Sequence, residues 1–434
     1  MPRIYLDYAS TTPISPEVFR AMQPYFSRAF GNPGSLHSFG QEAMGAVDAA
    51  RETLAESLGV DFREVIFTGS ATEANNLALR GALAAFRRAY PARRPKIIIS
   101  AIEHESVAAT ARFLAESGLS SAAFQSGANP SLVEAKESAE LVVIPVNGVG
   151  RVDPARVAKA VDQDTAIVSI MFANNEIGAI QPVREIAAVI RAIKEMRNEK
   201  LEMQARSPRK KSSLITLLSS SIFPLIHTDA VQALQFLSCR PAELGVDLLT
   251  LSAHKIYGPK GIGALCGNGL GGGHAPDPIV TGGGQEFGWR SGTENVAAIV
   301  GFAEAVRRAE VVREREAKRL RSLSLRLLAG IRRIAPKATV NGPGPNSKSA
   351  LPNILNIRFP GHLAEELTTR FDLLGLAVSS GSACASRRAA PSATLLALGG
   401  DKARARESVR FSIGQPTSAR HIDMALAVIK AQSW

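Results

Sequence analysis

The sequence predicts an α/β fold, with a large domain of helices around a mostly parallel sheet and a smaller α+β domain. Short apolar runs typical of buried strands alternate with amphipathic segments typical of helices over most of the 434 residues. A linker rich in Gly, Pro and Asn at 341–348 then separates a shorter tail with its own strands and helices. Apolar residues make up 45% of the chain, which is enough to build two cores.

The first half of the chain begins with a short strand near residue 5 and then alternates helices and strands. The predicted helices are 16–26, 38–58, one ending near 89, 154–161 and 185–197. The predicted strands are 64–68, 96–100, 141–146 and 166–172.

The second half contributes strands at 246–251 and 261–265 and a long helical region, 296–334, dense in Arg and Glu. We interpret this helical region as the hinge between the domains. The large domain is predicted at 15–313, and the small domain at 1–14 and 314–434. Segments 118–139 and 197–222 do not fit the alternation and are predicted to be insertions.

Composition limits the class of protein. The net charge of +12 would permit contact with RNA or an acidic protein, and the basic tract at 206–211 is a candidate docking segment. Aromatic residues are only 6% and do not interleave with a basic stripe, so direct nucleic-acid binding is not expected. No signal region or membrane-spanning stretch occurs, and the three cysteines form neither a disulfide framework nor a metal site. We therefore expect a cytoplasmic protein with no membrane partner.

A strand end near residue 252 carries the most informative polar motif. The apolar run 246–251 leads into Ser252-Ala253-His254-Lys255 and a Gly/Pro turn. A lysine buried there would lose its proton or find a partner, and a neutral lysine attacks carbonyls, as attachment of pyridoxal phosphate requires. The motif alone is equally typical of a surface lysine. Asp229, which closes another apolar run, favours the cofactor because a pyridine nitrogen needs a carboxylate to stay protonated.

Three further strand ends are followed by polar groups. Gly69-Ser70-Ala71-Thr72 opens a helix and is typical of a phosphate site, although a helix cap without a ligand explains it equally well. His104 follows the strand 96–100, where ligands bind in open sheets, but it also fits a structural histidine. Asn174-Asn175 could bind a carboxylate or stabilise a turn.

The tail contains a cysteine in a loop of small residues, 379–386. Such a residue is poorly explained by core packing, so Cys384 is predicted to be a catalytic nucleophile. Cys239 and Cys266 adjoin apolar segments and are predicted to be structural.

Taken together, these motifs resemble those of the cysteine desulfurases, the NifS/IscS group of the class V aminotransferase-like, fold type I pyridoxal enzymes. The resemblance extends from residue 5 to about 429 outside the two insertions and implies a seven-stranded sheet. The matching stretches are Tyr-Leu-Asp-Tyr-Ala-Ser-Thr-Thr-Pro at 5–13, Phe-Thr-Gly-Ser-Ala-Thr-Glu-Ala-Asn-Asn at 67–76, Asn-Asn-Glu-Ile-Gly at 174–178, Ser-Ala-His-Lys-Ile-Tyr-Gly-Pro-Lys-Gly at 252–261, Arg-Ser-Gly-Thr at 290–293 and Ser-Ser-Gly-Ser-Ala-Cys at 379–384.

The resemblance implies a role for each site residue. Catalysis would fall to Cys384, Lys255 and His104. Lys255 would bind the cofactor covalently and move protons, and the Cys384 thiolate would attack the substrate sulfur. The other implied roles are Asp229 at the pyridine nitrogen, Gln232 near the ring hydroxyl, His104 stacked on the ring, Ala71, Thr72, Ser252 and His254 at the phosphate, Thr293 at the phosphate of a neighbouring subunit, and Asn175 and Arg410 at the substrate carboxylate, with Asn175 also near the cofactor.

The implied function is pyridoxal phosphate-dependent desulfuration of L-cysteine by a homodimer. The products would be L-alanine and a Cys384 persulfide for an acceptor protein, either an iron–sulfur scaffold or a tRNA-thiolation carrier. Cys384 could also hold an iron–sulfur cluster transiently. The alternatives are a selenocysteine lyase, another class V pyridoxal enzyme, or a non-catalytic RNA- or protein-binding adaptor.

Three features depart from the family pattern. Gly69-Ser70 stands where many members have Ser-Gly. The loop after Cys384 lacks an acidic residue often found before its proline. The chain ends at Trp434 without the C-terminal extension that iron–sulfur assembly relatives use to bind a scaffold, so the identity of the acceptor stays open.

Overall fold

A computed structural model describes residues 3–116, 138–205, 223–271, 275–381, 391–399, 401–432 and 434. Within these ranges no helix is long and apolar enough to cross a membrane.

The centre of the molecule is a seven-stranded sheet with the strand order β2-β8-β7-β6-β5-β3-β4. Only β8 runs antiparallel to its neighbours in this sheet. Most of these strands are buried at every position, as expected for a sheet covered on both faces. The strands are β2 (Val65–Thr68), β3 (Lys96–Ser100), β4 (Glu140–Ile144), β5 (Thr165–Ser169), β6 (Leu225–Asp229), β7 (Leu248–Ser252) and β8 (Gly263–Cys266).

Helices flank this sheet and continue into the tail. Several begin at a side-chain cap, including Ser15, Ser70, Asp153 and Asn295, as the turn composition predicts. The helices are α1 (Pro16–Met22), α2 (Pro24–Ser27), α3 (Ser38–Leu58), α4 (Ala71–Ala89), α5 (Glu105–Glu116), α6 (Pro154–Ala160), α7 (Val183–Ala205), α8 (Pro241–Leu244), α9 (Val296–Ile334), α10 (Ala364–Leu373), α11 (Ala393–Ala397), α12 (Lys402–Arg406) and α13 (Ala419–Lys430).

Two small sheets hold the tail and the N-terminus. The strands β9 (Thr339–Asn341), β10 (Ile354–Arg358) and β12 (Ser408–Ser412) form an antiparallel sheet. The short strands β1 (Ile4–Tyr5) and β11 (Leu376–Ala377) pair in parallel. An isolated bridge from Asp7 to Ser412 then places the N-terminal segment beside β12. The N-terminal segment around Asp7 therefore lies next to β12, a strand close to the C-terminal end of the sequence.

The predicted elements agree with the observed ones to within a few residues, with two exceptions. The predicted helix 16–26 is wrong as one element, because it is divided at Gln23 into α1 and α2, where Pro24 has no N–H to donate to the carbonyl four residues earlier. The predicted helix 185–197 continues to Ala205. The insertion at 197–222 stays a prediction, and 206–222, including the basic tract, lies outside the described residues.

Two other predictions on chain organisation concern the segment 118–139 and the domain division. Most of 118–139 lies outside the described residues, while Ala139 donates its N–H to the Leu114 carbonyl at 3.0 Å just before β4. The proposed boundary between 313 and 314 falls inside α9, which packs against α3 in one half and α13 in the other. The division into two domains stays a prediction.

Candidate active site

A cavity of about 450 Å³ opens at the carboxyl ends of the parallel strands. Its walls come from the segments that follow β2, β3, β5, β6 and β7, together with the N-terminal segment and β12. Ten of the twelve predicted site residues line it: Ala71, Thr72, His104, Asn175, Asp229, Gln232, Ser252, His254, Lys255 and Arg410. Cys384 lies outside the described residues, and Thr293 is exposed and does not line this cavity.

Asp229, the last residue of β6, provides a buried carboxylate with a relative exposure of 6%. Its Oδ2 accepts the Asn75 amide at 2.8 Å, and its Oδ1 accepts the Val231 N–H at 3.0 Å. Both donors are neutral, and no salt bridge to Asp229 occurs among the described residues. The negative charge is therefore oriented by the protein but left for a cationic ligand group to neutralise.

His104 lies at the start of α5 and accepts hydrogen bonds from that helix. Its Nδ1 lies 3.1 Å from the backbone N–H of Ser106 and 2.8 Å from the Ser106 hydroxyl. The Ser106 hydroxyl accepts from Asn75 at 2.8 Å. His104 thus caps a helix, as a structural histidine would, and also lines the cavity, while its functional role stays a prediction.

Lys255 ends a short 3₁₀ turn, Ala253–Lys255, that follows β7. Its Nζ donates to the carbonyls of Ala9 at 2.6 Å and Ser10 at 2.7 Å. Lys255 is partly buried on the cavity wall, and these two carbonyls are partners for its amine. Gln232 also donates to the Ala9 carbonyl, at 2.9 Å. The N-terminal segment therefore provides acceptors for two cavity side chains.

The turn before α4 has the geometry of an anion site. The Ser70 hydroxyl caps the helix by accepting the Glu73 N–H at 3.1 Å. The first N–H groups of a helix have no acceptor within it, so those of Ala71 and Thr72 are available to a ligand in the cavity. A Cβ at Gly263 on β8 would lie 2.7 Å from the Ala71 nitrogen, so glycine there allows the turn to approach β8 closely.

The order Gly69-Ser70 has a physical reason in this turn. The Glu73 carboxylate accepts the Gly69 N–H at 2.9 Å and the Arg290 Nε at 2.8 Å. A Cβ at position 69 would lie 2.9 Å from Glu73 Oε2, so glycine leaves room for the carboxylate while Ser70 supplies the cap. Arg290 offsets the negative charge of Glu73, which would otherwise repel an anion at this turn.

His254 faces the same end of the cavity. Its Nδ1 lies 3.2 Å from the Thr11 hydroxyl. Burial, together with the charges of Lys255 and Lys260, lowers the pKa of His254 to about 4. The imidazole is therefore neutral at physiological pH and contributes a hydrogen bond to this site.

Arg410 on β12 forms the opposite end of the cavity and is only 1% exposed. Its Nη2 donates to Asp7 Oδ1 at 2.7 Å and to the Ser10 hydroxyl at 2.6 Å. Its Nη1 donates to the Asn175 carbonyl at 2.9 Å. A guanidinium has five N–H groups, so these contacts leave one on Nη1 and the one on Nε, which has no acceptor among the described residues.

Comparison with known proteins identifies the family. The family model for aminotransferase class V matches residues 4–197 and 218–424. A curated cysteine desulfurase, IscS of Dictyoglomus turgidum, is 36% identical over 427 residues, which cover 98% of this chain and 93% of the relative.

The chain belongs to the class V aminotransferase family and, within it, to the cysteine desulfurases. A solved structure described as a NifS-like protein superposes with a TM-score of 0.78 at 29% identity and covers 99% of this chain and 98% of its own. Another, described as SspA in complex with cysteine, gives a TM-score of 0.70 at 28% identity, with 94% of this chain and 98% of that one covered. The predicted fold type I architecture and enzyme class are confirmed.

The cysteine desulfurases depend on pyridoxal 5′-phosphate, and the cavity residues fit this group. An amine, a carboxylate held by neutral donors, and a helix start with available N–H groups lie around one space of sufficient volume. Lys255 matches the aldehyde, Asp229 the pyridine nitrogen, and the Ala71-Thr72 turn the phosphate. The cavity therefore fits the aldehyde, the ring nitrogen and the phosphate of the cofactor.

Two buried titratable groups lie beneath this cavity. Burial, with a contribution from the nearby Asp229 charge, raises the pKa of Glu103 to about 8. The Glu103 carboxyl accepts the Met171 N–H at 2.9 Å and also contacts the Ser100 hydroxyl. Burial lowers the pKa of His227 to about 4, and its ring nitrogens contact the hydroxyls of Ser169 and Thr250 on the adjacent strands.

The segment after β5 lies next to described residues on both sides of positions 382–390, which include Cys384. Glu176 Oε2 accepts the hydroxyl of Ser392, the cap of α11, at 2.6 Å. A Cβ built on Gly381 would lie 3.8 Å from the same oxygen. One carboxylate adjacent to Asn175 thus lies against the residue before segment 382–390 and binds a residue just after it.

The other cysteines behave as predicted. Cys239 and Cys266 are buried free thiols. Burial raises the pKa of Cys239 to about 12 and also raises that of Cys266. Neither thiol is a candidate nucleophile, so the structural interpretation of both is confirmed.

Several site residues were not predicted from the sequence. Asn75 lies within the matching stretch 67–76 and Ser106 two residues after His104, but a mid-helix amide gives no sign of its partner. Asp7 and Ser10 belong to the N-terminal motif, and only the fold shows that they contact Arg410. Lys260 also lines the cavity and is therefore a second lysine to consider.

Proposed function

We propose that this desulfurase converts L-cysteine to L-alanine and leaves the sulfur as a persulfide on Cys384. The supporting observation is the cavity itself, in which Lys255, Asp229 and Arg410 converge from segments far apart in the sequence. A lysine for attachment, an anion for the ring and a cation for the substrate carboxylate are what an amino acid-processing pyridoxal enzyme requires.

Arg410 and Asn175 are proposed to bind the substrate carboxylate. Arginine suits this task because its planar fork can donate two parallel hydrogen bonds to a carboxylate. The free N–H on Arg410 Nη1 supplies one donor, and the Asn175 side chain lies on the same cavity wall. A second donor from Nη2 requires the substrate to compete with Asp7 or Ser10.

Pyridoxal phosphate, when bound, supplies an electron sink for the bond that breaks at the substrate α-carbon. Asp229 stabilises the positive charge that the ring nitrogen carries in this role. Lys255 holds the cofactor and afterwards carries a proton on Nζ, for which the Ala9 and Ser10 carbonyls are acceptors at 2.6 and 2.7 Å. His104 lies over the cavity with Nε2 as its available nitrogen, because Nδ1 is occupied.

The sulfur step is proposed to take place at Cys384. Its thiolate attacks the substrate sulfur, so that a sulfur–sulfur bond forms and the carbon–sulfur bond breaks. The electron pair of the broken bond remains with the substrate carbon skeleton, which takes up a proton and leaves as alanine. No external oxidant or reductant is needed until the persulfide is passed on.

Thr293 and the chemistry of the product support proposals about the homodimer and the acceptor partner. Thr293 is exposed and outside its own cavity, in agreement with a proposed role at the phosphate of a second subunit in a homodimer. A protein-bound persulfide needs a thiol-bearing acceptor, so we propose a scaffold or carrier protein as partner. We also propose a reducing, cytoplasmic location, which suits the free thiols of Cys239 and Cys266.

Replacement of Cys384 by Ala tests the proposal. The purified variant should keep the visible absorption of bound cofactor and its response to L-cysteine, but should form no persulfide and almost no alanine. Cys239→Ala is the matched control, because it removes a buried thiol outside the cavity. Peptide mass spectrometry after exposure to L-cysteine should find one added sulfur atom on Cys384. Undiminished alanine and sulfide formation by Cys384→Ala would contradict the proposed mechanism.

A further inference from the structure

His104 and Asp229, which line the cavity from two different strands, are joined by a buried chain of hydrogen bonds. The Asn75 amide nitrogen donates to Asp229 Oδ2 at 2.8 Å and to the Ser106 hydroxyl at 2.8 Å. The Ser106 hydroxyl in turn lies 2.8 Å from His104 Nδ1. Asn75 is fully buried and Ser106 nearly so, which keeps water out of the chain.

The orientation of the Asn75 amide is determined by its neighbours. If the amide were flipped, its oxygen would face the Asp229 carboxylate oxygen at hydrogen-bond distance, which is repulsive. With the nitrogen in place, its two hydrogens serve the two observed acceptors, and the amide oxygen has no partner among the described residues. An unpaired buried oxygen is unfavourable, so the contact with Asp229 must outweigh that cost.

The direction of the chain then determines the His104 tautomer. The backbone N–H of Ser106 points at Nδ1 from 3.1 Å, and an N–H cannot donate to a protonated nitrogen. Nδ1 is therefore an acceptor, and the proton of the neutral ring is on Nε2. Because the Ser106 oxygen accepts from Asn75, its own hydrogen is directed to Nδ1 as a second donor.

We propose that Asn75 and Ser106 are positioning residues that hold His104 in the Nε2–H tautomer and tie its ring to the Asp229 carboxylate. The group that faces the ring of the cofactor and the group that neutralises its nitrogen are then oriented by the same amide. This inference rests on the proposed function for its catalytic meaning, but the tautomer itself can be measured without turnover.

The test is nitrogen NMR of the full-length holoenzyme with isotope-labelled histidine. His104→Gln identifies the His104 signals by their disappearance. In the wild type, Nε2 should show the shift of a protonated ring nitrogen and Nδ1 that of an unprotonated acceptor. A protonated Nδ1 in the wild type would overturn the proposal without recourse to any further variant.

The variants then test each link. Ser106→Ala retains the backbone donor but loses the hydroxyl, so the ratio of Nε2–H to Nδ1–H tautomer should fall by about tenfold, the effect of one hydrogen bond. Asn75→Ala should produce a smaller shift in the same direction, and Ser106→Thr, which restores a hydroxyl, should reverse the effect of alanine. Asn76→Ala is the matched control, since its amide serves the Thr72 carbonyl and Arg80 instead.

Kinetics supply the second readout. Loss of either positioning residue should lower kcat about tenfold and leave KM for L-cysteine within about twofold, because the proposed carboxylate site at Arg410 is unchanged. Variants that keep the wild-type His104 shifts, or that change KM and kcat equally, would show that Asn75 and Ser106 only support the fold. An inactive wild type with the expected tautomer would instead contradict the proposed function alone.

Discussion

The two buried charges that face the cavity, Asp229 and Arg410, are held in opposite ways. Asp229 accepts only neutral N–H donors, from Asn75 and Val231. Arg410 is paired with the carboxylate of Asp7 at 2.7 Å and with two further oxygen acceptors. The protein orients the first charge without neutralising it, and neutralises the second before any substrate arrives.

This difference matches the roles proposed for the two residues, Asp229 at a cofactor that stays bound and Arg410 at a substrate that exchanges in each cycle. A cofactor that remains bound can itself supply the counter-charge for Asp229 through many turnovers. A substrate carboxylate arrives and leaves in each cycle, and an unpaired buried guanidinium would be strongly destabilising in its absence. Under the proposed roles, the bound cofactor completes an ion pair with Asp229. The substrate carboxylate instead has to exchange with the protein groups that already hold Arg410.

The largest expected effect is at Asp229. Asp229→Asn keeps the shape but removes the charge that stabilises a protonated ring nitrogen, so kcat should fall by about 10²–10³-fold. Steady-state alanine formation measures this loss. Asp423→Asn, at an exposed carboxylate outside the cavity, should leave kcat unchanged. Equal activity in wild type and Asp229→Asn would contradict the proposed role of the Asp229 charge at the cofactor ring.

Arg410 should show a smaller effect, mainly in substrate binding. Arg410→Lys retains the charge but loses the fork, so KM for L-cysteine should rise by about tenfold or more while kcat changes less. Initial rates over a range of cysteine concentrations separate the two constants. A fall in kcat at constant KM would contradict the carboxylate-binding role.

Asp7→Asn sharpens the comparison by removing the competing anion. KM should fall severalfold because Arg410 Nη2 becomes easier to engage. The free energy of unfolding should fall by about 3 kcal/mol because a buried charge loses its partner. Denaturant unfolding measures stability alongside the kinetics. If KM rose instead, Asp7 would be orienting Arg410 rather than competing with the substrate.

The charge of Asp229 should also be visible in the pH dependence of stability through Glu103. A Glu103 pKa near 8 exceeds the ordinary 4.5, so between these values the folded state holds a proton that the unfolded state has released. Stability should therefore decrease as pH rises, by up to about 2.7 kcal/mol from pH 5 to pH 7. Urea unfolding of wild type and Glu103→Gln measures this, and Asp229→Asn should weaken the slope. If Glu103→Gln left the pH slope of stability unchanged, groups other than Glu103 would be its cause.

His227 should give the smallest effect, with the opposite sign. Its pKa near 4 lies below the ordinary 6.5, so between these values only the unfolded state binds the proton. Stability should be lost as pH falls through this window, by up to about 1.4 kcal/mol from pH 6 to pH 5. His227→Gln should reduce this acid slope in urea unfolding. A steeper acid slope in the variant would contradict burial of neutral His227.

The sequence predicts the strand-end half of this site because each residue there follows its own apolar run. Lys255 and Asp229 could be assigned in this way, with the family resemblance giving their roles. The partners could not be assigned, because Asp229 meets Asn75 across 154 residues and Arg410 meets Asp7 across 403. A helical repeat or a strand pattern does not encode such contacts, and the fold alone brings them together.

The local errors have equally specific causes. The predicted helix 16–26 ignored the missing N–H of Pro24, which cannot complete the hydrogen-bond pattern of a continuous helix. The partners of Lys255 were not predicted because the two carbonyls that accept from it come from the N-terminal segment, far away in the sequence. In both cases the pattern of apolar residues was right, and a backbone feature outside that pattern decided the outcome.

The central claim, that this cavity binds pyridoxal phosphate through Lys255, has a direct test. Borohydride reduction of the holoenzyme fixes the cofactor to the amine that holds it, and peptide mapping then identifies the lysine. Both Lys255 and Lys260 line the cavity, and Lys260 is the more exposed. We expect the reduced cofactor on Lys255 alone in the wild type, and no attached cofactor in Lys255→Ala. Modification of Lys260, or retention of the modification in Lys255→Ala, would contradict it.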